Sequence, residues 1–160
     1  MNMKNVSIAL LVTLGLSTSF GPLYASAPHD HSHDIMTGPK GGKLLEVRSE
    51  HIPHIELFVN QSGKVELTLL DIENQPIPLQ GHIVEVTVGS RLNSRRVPVE
   101  KSGNDFVTSE KLAGDQPIQL TIQIKESPKD SPKTVRTTID THICGECGQP
   151  EYICTCHHTH

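Results

Sequence analysis

Four stretches of this chain place large aliphatic residues at every second position. Ile55, Leu57 and Val59 alternate with Glu56, Phe58 and Asn60, and Val65, Leu67 and Leu69 alternate with Glu66 and Thr68. Val84, Val86 and Val88 alternate with Glu85 and Thr87, and Ile118, Leu120, Ile122 and Ile124 with Gln119, Thr121 and Gln123. A period of two sends successive side chains to opposite faces of an extended strand, so each run offers one face to a core. Strands buried on one side are a property of antiparallel sheets, since parallel sheets are usually covered on both. Turn chemistry separates the runs: Gln61-Ser-Gly63, Glu73-Asn-Gln-Pro76, Ser102-Gly-Asn-Asp105 and Gly114-Asp115. Weaker strands at Lys43–Val47, Arg95–Val99 and Phe106–Ser109 bring the total to about seven, as in an immunoglobulin-like sandwich. No segment carries a helical period. The expectation is a small all-β antiparallel sandwich over residues 38–126, with a linker at 127–141 signalled by Ser127-Pro-Lys-Asp-Ser-Pro-Lys133.

The ends differ from this middle. Met1 to Ala27 has the form of an export leader: Lys4 in the n-region, an apolar run Ile8–Leu16 too short to span a bilayer, and Ala25-Ser-Ala27 as a cleavage signature. Pro28 after Ala27 is awkward for the peptidase, which leaves the point of cleavage open. The expectation is a periplasmic or secreted protein with no stable membrane insertion once the leader is gone.

Charge and aromatic content narrow the function classes. Loss of Lys4 with the leader leaves 13 basic against 18 acidic residues, and no basic cluster exceeds Arg95-Arg96. Nucleic acid has no electrostatic footprint on such a chain. Only Phe58, Phe106 and Tyr152 remain as aromatics after residue 27, too few for a stacking platform. Gly38-Pro-Lys-Gly-Gly-Lys43 lacks the spacing and the Ser/Thr of a phosphate loop, and no hydrolase or metalloprotease signature is present. An enzyme is not expected.

Residues 28–37 form a His-rich flexible segment in which His29, His31 and His33 are interleaved with Asp30 and Asp34. At spacing two in an extended chain the three imidazoles point the same way and can wrap one ion of the Zn, Cu(II), Ni or Co type. The competing reading is a solvated tail. His51, His54 and His82 sit at strand entrances and read as rim residues.

Residues 142–160 are a Cys/His-rich tail. All four cysteines of the chain lie here as Cys144-x2-Cys147 and Cys154-x-Cys156, with His142 before them and His157, His158 and His160 after. A segment this short has no core of its own, so it is a flexible tail unless a metal or disulfides cross-link it. Four thiolates make a tetrahedral site for Zn and also suit Cu(I). Cys144-Gly-Glu-Cys147-Gly resembles one zinc-ribbon knuckle, while the six-residue spacer and the C-x-C pair depart from a ribbon. In an oxidising compartment the same cysteines can instead form two disulfides, for example Cys144–Cys156 with Cys147–Cys154. A thiol–disulfide enzyme lacks the βαβ frame that normally lowers a C-x2-C thiol.

The stretch Gly38-Pro-Lys-Gly-Gly-Lys-Leu-Leu-Glu-Val47, with His54-Ile-Glu-Leu-Phe-Val59 and Gly63-Lys-Val-Glu-Leu-Thr-Leu-Leu-Asp71, resembles a small exported β domain of heavy-metal efflux systems. That domain occurs alone in the periplasm and near the N-terminus of membrane-fusion adaptors. The resemblance spans roughly residues 29–80 and implies an efflux pump as partner; it says nothing about the cysteines. The combined expectation is an exported transition-metal-binding protein that captures or buffers Zn, Cu, Co or Ni. Its alternative is a secreted interaction module with a disulfide-stapled tail.

Overall fold

A computed structural model describes residues 36–156. The leader at 1–27, the histidines His29, His31 and His33, and His157, His158 and His160 all lie outside the described residues. Among the described residues nine strands follow one another: β1 (Lys43–Glu46), β2 (His54–Val59), β3 (Val65–Leu70), β4 (Ile83–Ser90), β5 (Asn93–Val97), β6 (Val99–Ser102), β7 (Asp105–Thr108), β8 (Ile118–Lys125) and β9 (Lys133–Ile139). They make two antiparallel sheets, ordered β1-β2-β3-β7-β6 and β5-β4-β8-β9. The alternating aliphatic residues meet between them: Ile55, Leu57, Val65, Leu67 and Leu69 of one sheet pack with Val84, Val86, Leu120, Ile122 and Ile124 of the other in a single buried cluster. No helix among the described residues is long and apolar enough to cross a membrane.

The strand count differs from expectation in two places. Arg95–Val99 is not one strand. Pro98 ends the pairing with β4 at Val97, and the chain crosses to the other sheet, where Val99 pairs with Thr108. Proline has no N–H for the ladder and its φ is fixed, so a break between sheets is a natural place for it. The second difference corrects the linker: residues 133–139 form β9, in register with β8 from Ile118↔Ile139 to Ile124↔Lys133. Val135 and Ile139 reach the core from this edge strand, and Ser127–Pro132 is a hairpin connection.

One-sided burial also fails in one region. On the outer face of the first sheet, Glu56, Thr68 and Leu70 are as buried as the core. The Gly38–Gly42 turn lies over Glu56, whose Oε1 accepts the N–H groups of Lys40 and Gly42, both at 2.8 Å. Gly42 has no room for a side chain, since a Cβ there would sit 2.4 Å from the Leu57 carbonyl oxygen. Lys40 reaches on to Asp105 at 2.6 Å, and Asp105 in turn accepts the Thr68 hydroxyl. The glycine-rich start of the domain is thus a latch over a buried carboxylate.

Candidate metal centre

Strand β9 ends at Ile139, only 2% exposed, and delivers the chain to the end of the sandwich where β2 finishes at Val59. From there a small hairpin forms. Ile143 bridges Pro150, the Cys144 N–H donates to the Gln149 carbonyl at 2.8 Å, and the Gly148 N–H donates to the Cys144 carbonyl at 3.0 Å. Gly148 takes φ +70°, the left-handed conformation that glycine adopts without steric cost. A short 3-10 turn, Glu151–Ile153, follows and returns the chain so that Cys154 and Cys156 face the knuckle.

Tyr152, in the middle of that turn, is the anchor. It is 5% exposed and belongs to the main hydrophobic cluster. Its hydroxyl oxygen accepts the Val59 N–H at 3.2 Å, and its own N–H donates to the Asp140 carbonyl at 2.9 Å. Thr141 adds a bond from its hydroxyl to the Gly114 carbonyl. The cysteine segment through Cys156 is therefore docked on the sandwich, a correction to the expectation of a flexible tail. Tyr152 is an aromatic next to a cysteine pair, and only its isolation in a polar segment hinted at this role.

The four Sγ atoms of Cys144, Cys147, Cys154 and Cys156 lie within 4.8 Å of one another, and those of Cys147 and Cys154 are 3.6 Å apart. A tetrahedron with metal–sulfur bonds of about 2.3 Å has sulfur–sulfur edges of about 3.8 Å. The cluster can therefore hold one metal ion with small adjustments. Cys144 and Cys154 are buried, Cys156 is half-buried and Cys147 is exposed.

The electrostatics of the sulfurs are unequal. The N–H groups of Cys147 and Glu146 point at the Cys144 sulfur and bring its pKa from 9.0 down to about 6, against the effect of burial. On Cys154 the Cys156 N–H, 3.3 Å away, acts in the same sense, but burial and the neighbouring thiols outweigh it and the pKa rises. Cys156 is pushed far up, chiefly by its hydrogen bond with Cys147 and then by burial. Without a metal these shifts favour a thiolate on Cys144 and protons on Cys154 and Cys156. A bound cation displaces those protons.

Sequence reasoning also proposed His142, and its ring is elsewhere. His142 Nδ1 lies 2.6 Å from Asp140 Oδ1, and the group of close ligand atoms contains only the cysteines. The His142 N–H at 3.0 Å, with the ring beside it, holds the Asp140 carboxyl below its usual range. His51 and His54 line a polar cleft with Glu46, Glu50 and Glu126 at the opposite end of β2. Among the described residues, no further group of three ligand atoms comes together. No family model matches the chain, and neither a curated protein nor a solved structure does.

Proposed function

We propose that this chain is an exported transition-metal-binding protein, whose cysteine knuckle captures an ion and whose immunoglobulin-like sandwich carries and presents it. The observation that carries this reading is the convergence of four sulfurs within 4.8 Å, on a segment whose backbone donates N–H groups to two of them. Hydrogen bonds of that kind stabilise a charged sulfur, which is the form a metal needs. Soft ligands select Zn or Cu(I) over hard cations; Co and Ni fit the imidazoles better than this all-sulfur set. The sandwich reading rests on strand order: β2-β3-β7-β6 facing β5-β4-β8-β9 repeats the ABED and C′CFG arrangement, with β1 added at the edge.

The export leader and the efflux-type resemblance of residues 29–80 support capture in a periplasm, beside a metal-exporting pump. His29, His31 and His33 at one end, and His157, His158 and His160 at the other, extend the reach for ions. The competing interaction-module reading is favoured by the same proximity, because Cys147 and Cys154 need to close from 3.6 Å to about 2.05 Å to form a disulfide. Native mass spectrometry of protein isolated without reductant separates the two. One ion per chain, lost on chelation with four thiols then open to alkylation, is the expected result. A metal-free mass lowered by four hydrogens, with no ion taken up after reduction, refutes metal capture.

A further inference from the structure

We propose that the centre passes its metal to a thiol-bearing, positively charged partner through Cys147, by ligand exchange at the ion. The inference rests on the metal-capture reading above and concerns how the ion leaves. Cys144 and Cys154 are 1% and 6% exposed, whereas Cys147 is open to solvent. The two buried cysteines are also held by the fold. Cys144 uses both its N–H and its carbonyl in the small hairpin, and Cys154 follows directly on the turn that buries Tyr152. Cys147 sits at the knuckle tip between Gly145 and Gly148, each with open space where a side chain would stand. Its departure from the metal unpacks nothing in the core.

The surroundings of that sulfur describe the partner. Ile143, 64% exposed, supplies an apolar contact on the knuckle hairpin. Asp140, Glu146 and Glu151 lie along the same segment, and no lysine or arginine follows Arg136 in the sequence. On the sandwich side, Lys111 lines a cleft with Pro150 and Tyr152. Four thiolates around a divalent ion add two more negative charges. A cysteine flanked by lysine or arginine is the complementary surface.

The step balances without oxidant or reductant. The acceptor's sulfur forms a bond to the metal as the Cys147 sulfur–metal bond breaks, and the proton of the acceptor thiol ends on Cys147. No electron changes hands. A second exchange at half-buried Cys156 leaves the ion shared by Cys144, Cys154 and two acceptor sulfurs; two further acceptor thiols then replace Cys144 and Cys154, leaving their protons on those sulfurs, and complete the transfer.

The test uses the reduced full chain loaded with Zn2+, mixed with Cys-x2-Cys peptides flanked by lysines or by glutamates. Transfer to the lysine peptide should be first order in peptide, and at low salt about tenfold faster than to the glutamate peptide. The difference should vanish near 0.5 M salt, roughly, where surface charges are screened. Cys147→Ser, which leaves three sulfurs and a weaker fourth ligand, should release Zn2+ to the peptide faster than the parent. A rate independent of peptide concentration, or a Cys147→Ser variant no faster than the parent, overturns the handover and leaves metal capture standing. A reduced chain that takes up no Zn2+ overturns both.

Discussion

Replacement of Tyr152 separates the anchor from the ligands it positions. Its ring is 5% exposed within the hydrophobic cluster, so Tyr152→Ala removes a buried aromatic, at a cost of about 3–5 kcal/mol. Tyr152→Phe keeps the ring and loses the hydroxyl oxygen that accepts the Val59 N–H, worth about 1 kcal/mol. The segment after Ile139 can leave the sandwich without unpairing β8 from β9, so the loss falls on docking before it falls on global unfolding. Only the docked segment brings the four sulfurs together. Apparent metal affinity therefore falls by the docked fraction, with an upper limit of roughly 5 × 10³-fold for the alanine variant and under about tenfold for phenylalanine. Competition for Zn2+ against a chromophoric chelator, on reduced protein, measures both. Hydrogen exchange at residues 140–154 should accelerate in Tyr152→Ala while strands β2, β3 and β8 stay protected. An alanine variant that binds within about threefold of the parent, or a phenylalanine variant equally damaged, refutes the argument.

The latch gives a second contrast. Glu56→Ala strands the N–H groups of Lys40 and Gly42, costing about 3–5 kcal/mol in urea unfolding, while Glu56→Gln retains an acceptor oxygen and should cost about 1 kcal/mol; an alanine cost below about 1 kcal/mol would contradict the latch. For β9, Ile139→Ala should cost about 2–4 kcal/mol and Thr138→Ala under about 0.5 kcal/mol, whereas a linker would make both neutral to thermal denaturation. In reduced, metal-free protein the Cys144 thiol titrates at about 6 in place of 9.0. A depressed acid stabilises the fold above its unfolded pKa and loses that contribution as pH falls through the folded one. The raised pKa values of Cys154 and Cys156 act oppositely, stabilising below the ordinary thiol value and fading above it. Docking, followed by hydrogen exchange in the 140–154 segment, should be strongest near pH 9 and weaken toward pH 6; strengthening on acidification would refute the assignment.

The sandwich was legible because its central strands carry their burial in a strict alternation. Ile118 to Ile124 can be read directly, and all of its core-facing members after Ile118 are buried. Strand β9 was hidden because only Val135 and Ile139 among its inward positions are aliphatic; Lys133 and Thr137 fill the others, as an edge strand tolerates. Alternation places the buried Glu56 on the solvent side of β2 for a related reason. Periodicity assigns a face, but only the three-dimensional path of Gly38–Gly42 shows that the face is covered. In the tail, the ligand types and spacing marked out the cysteines, and chemistry alone put His142 among them. Its real partner, Asp140, lies two residues away, and a short-range carboxylate captured the ring that spacing had offered to the metal.

The remaining choice, between a staple and a metal site, turns on what the backbone offers the sulfurs. A disulfide sulfur is close to neutral and gains little from a donor, so a staple has no need of N–H groups directed at it. Here Glu146 and Cys147 direct theirs at Cys144, and Cys156 directs its own at Cys154. These are the two buried sulfurs, where an uncompensated charge is most costly. The exposed sulfur, Cys147, has water for that purpose. Donors are thus supplied where burial makes a thiolate expensive, as hydrogen bonding to a charged form requires. The donors suffice to favour the charged form of Cys144, and at Cys154 they offset part of the burial that a metal must overcome.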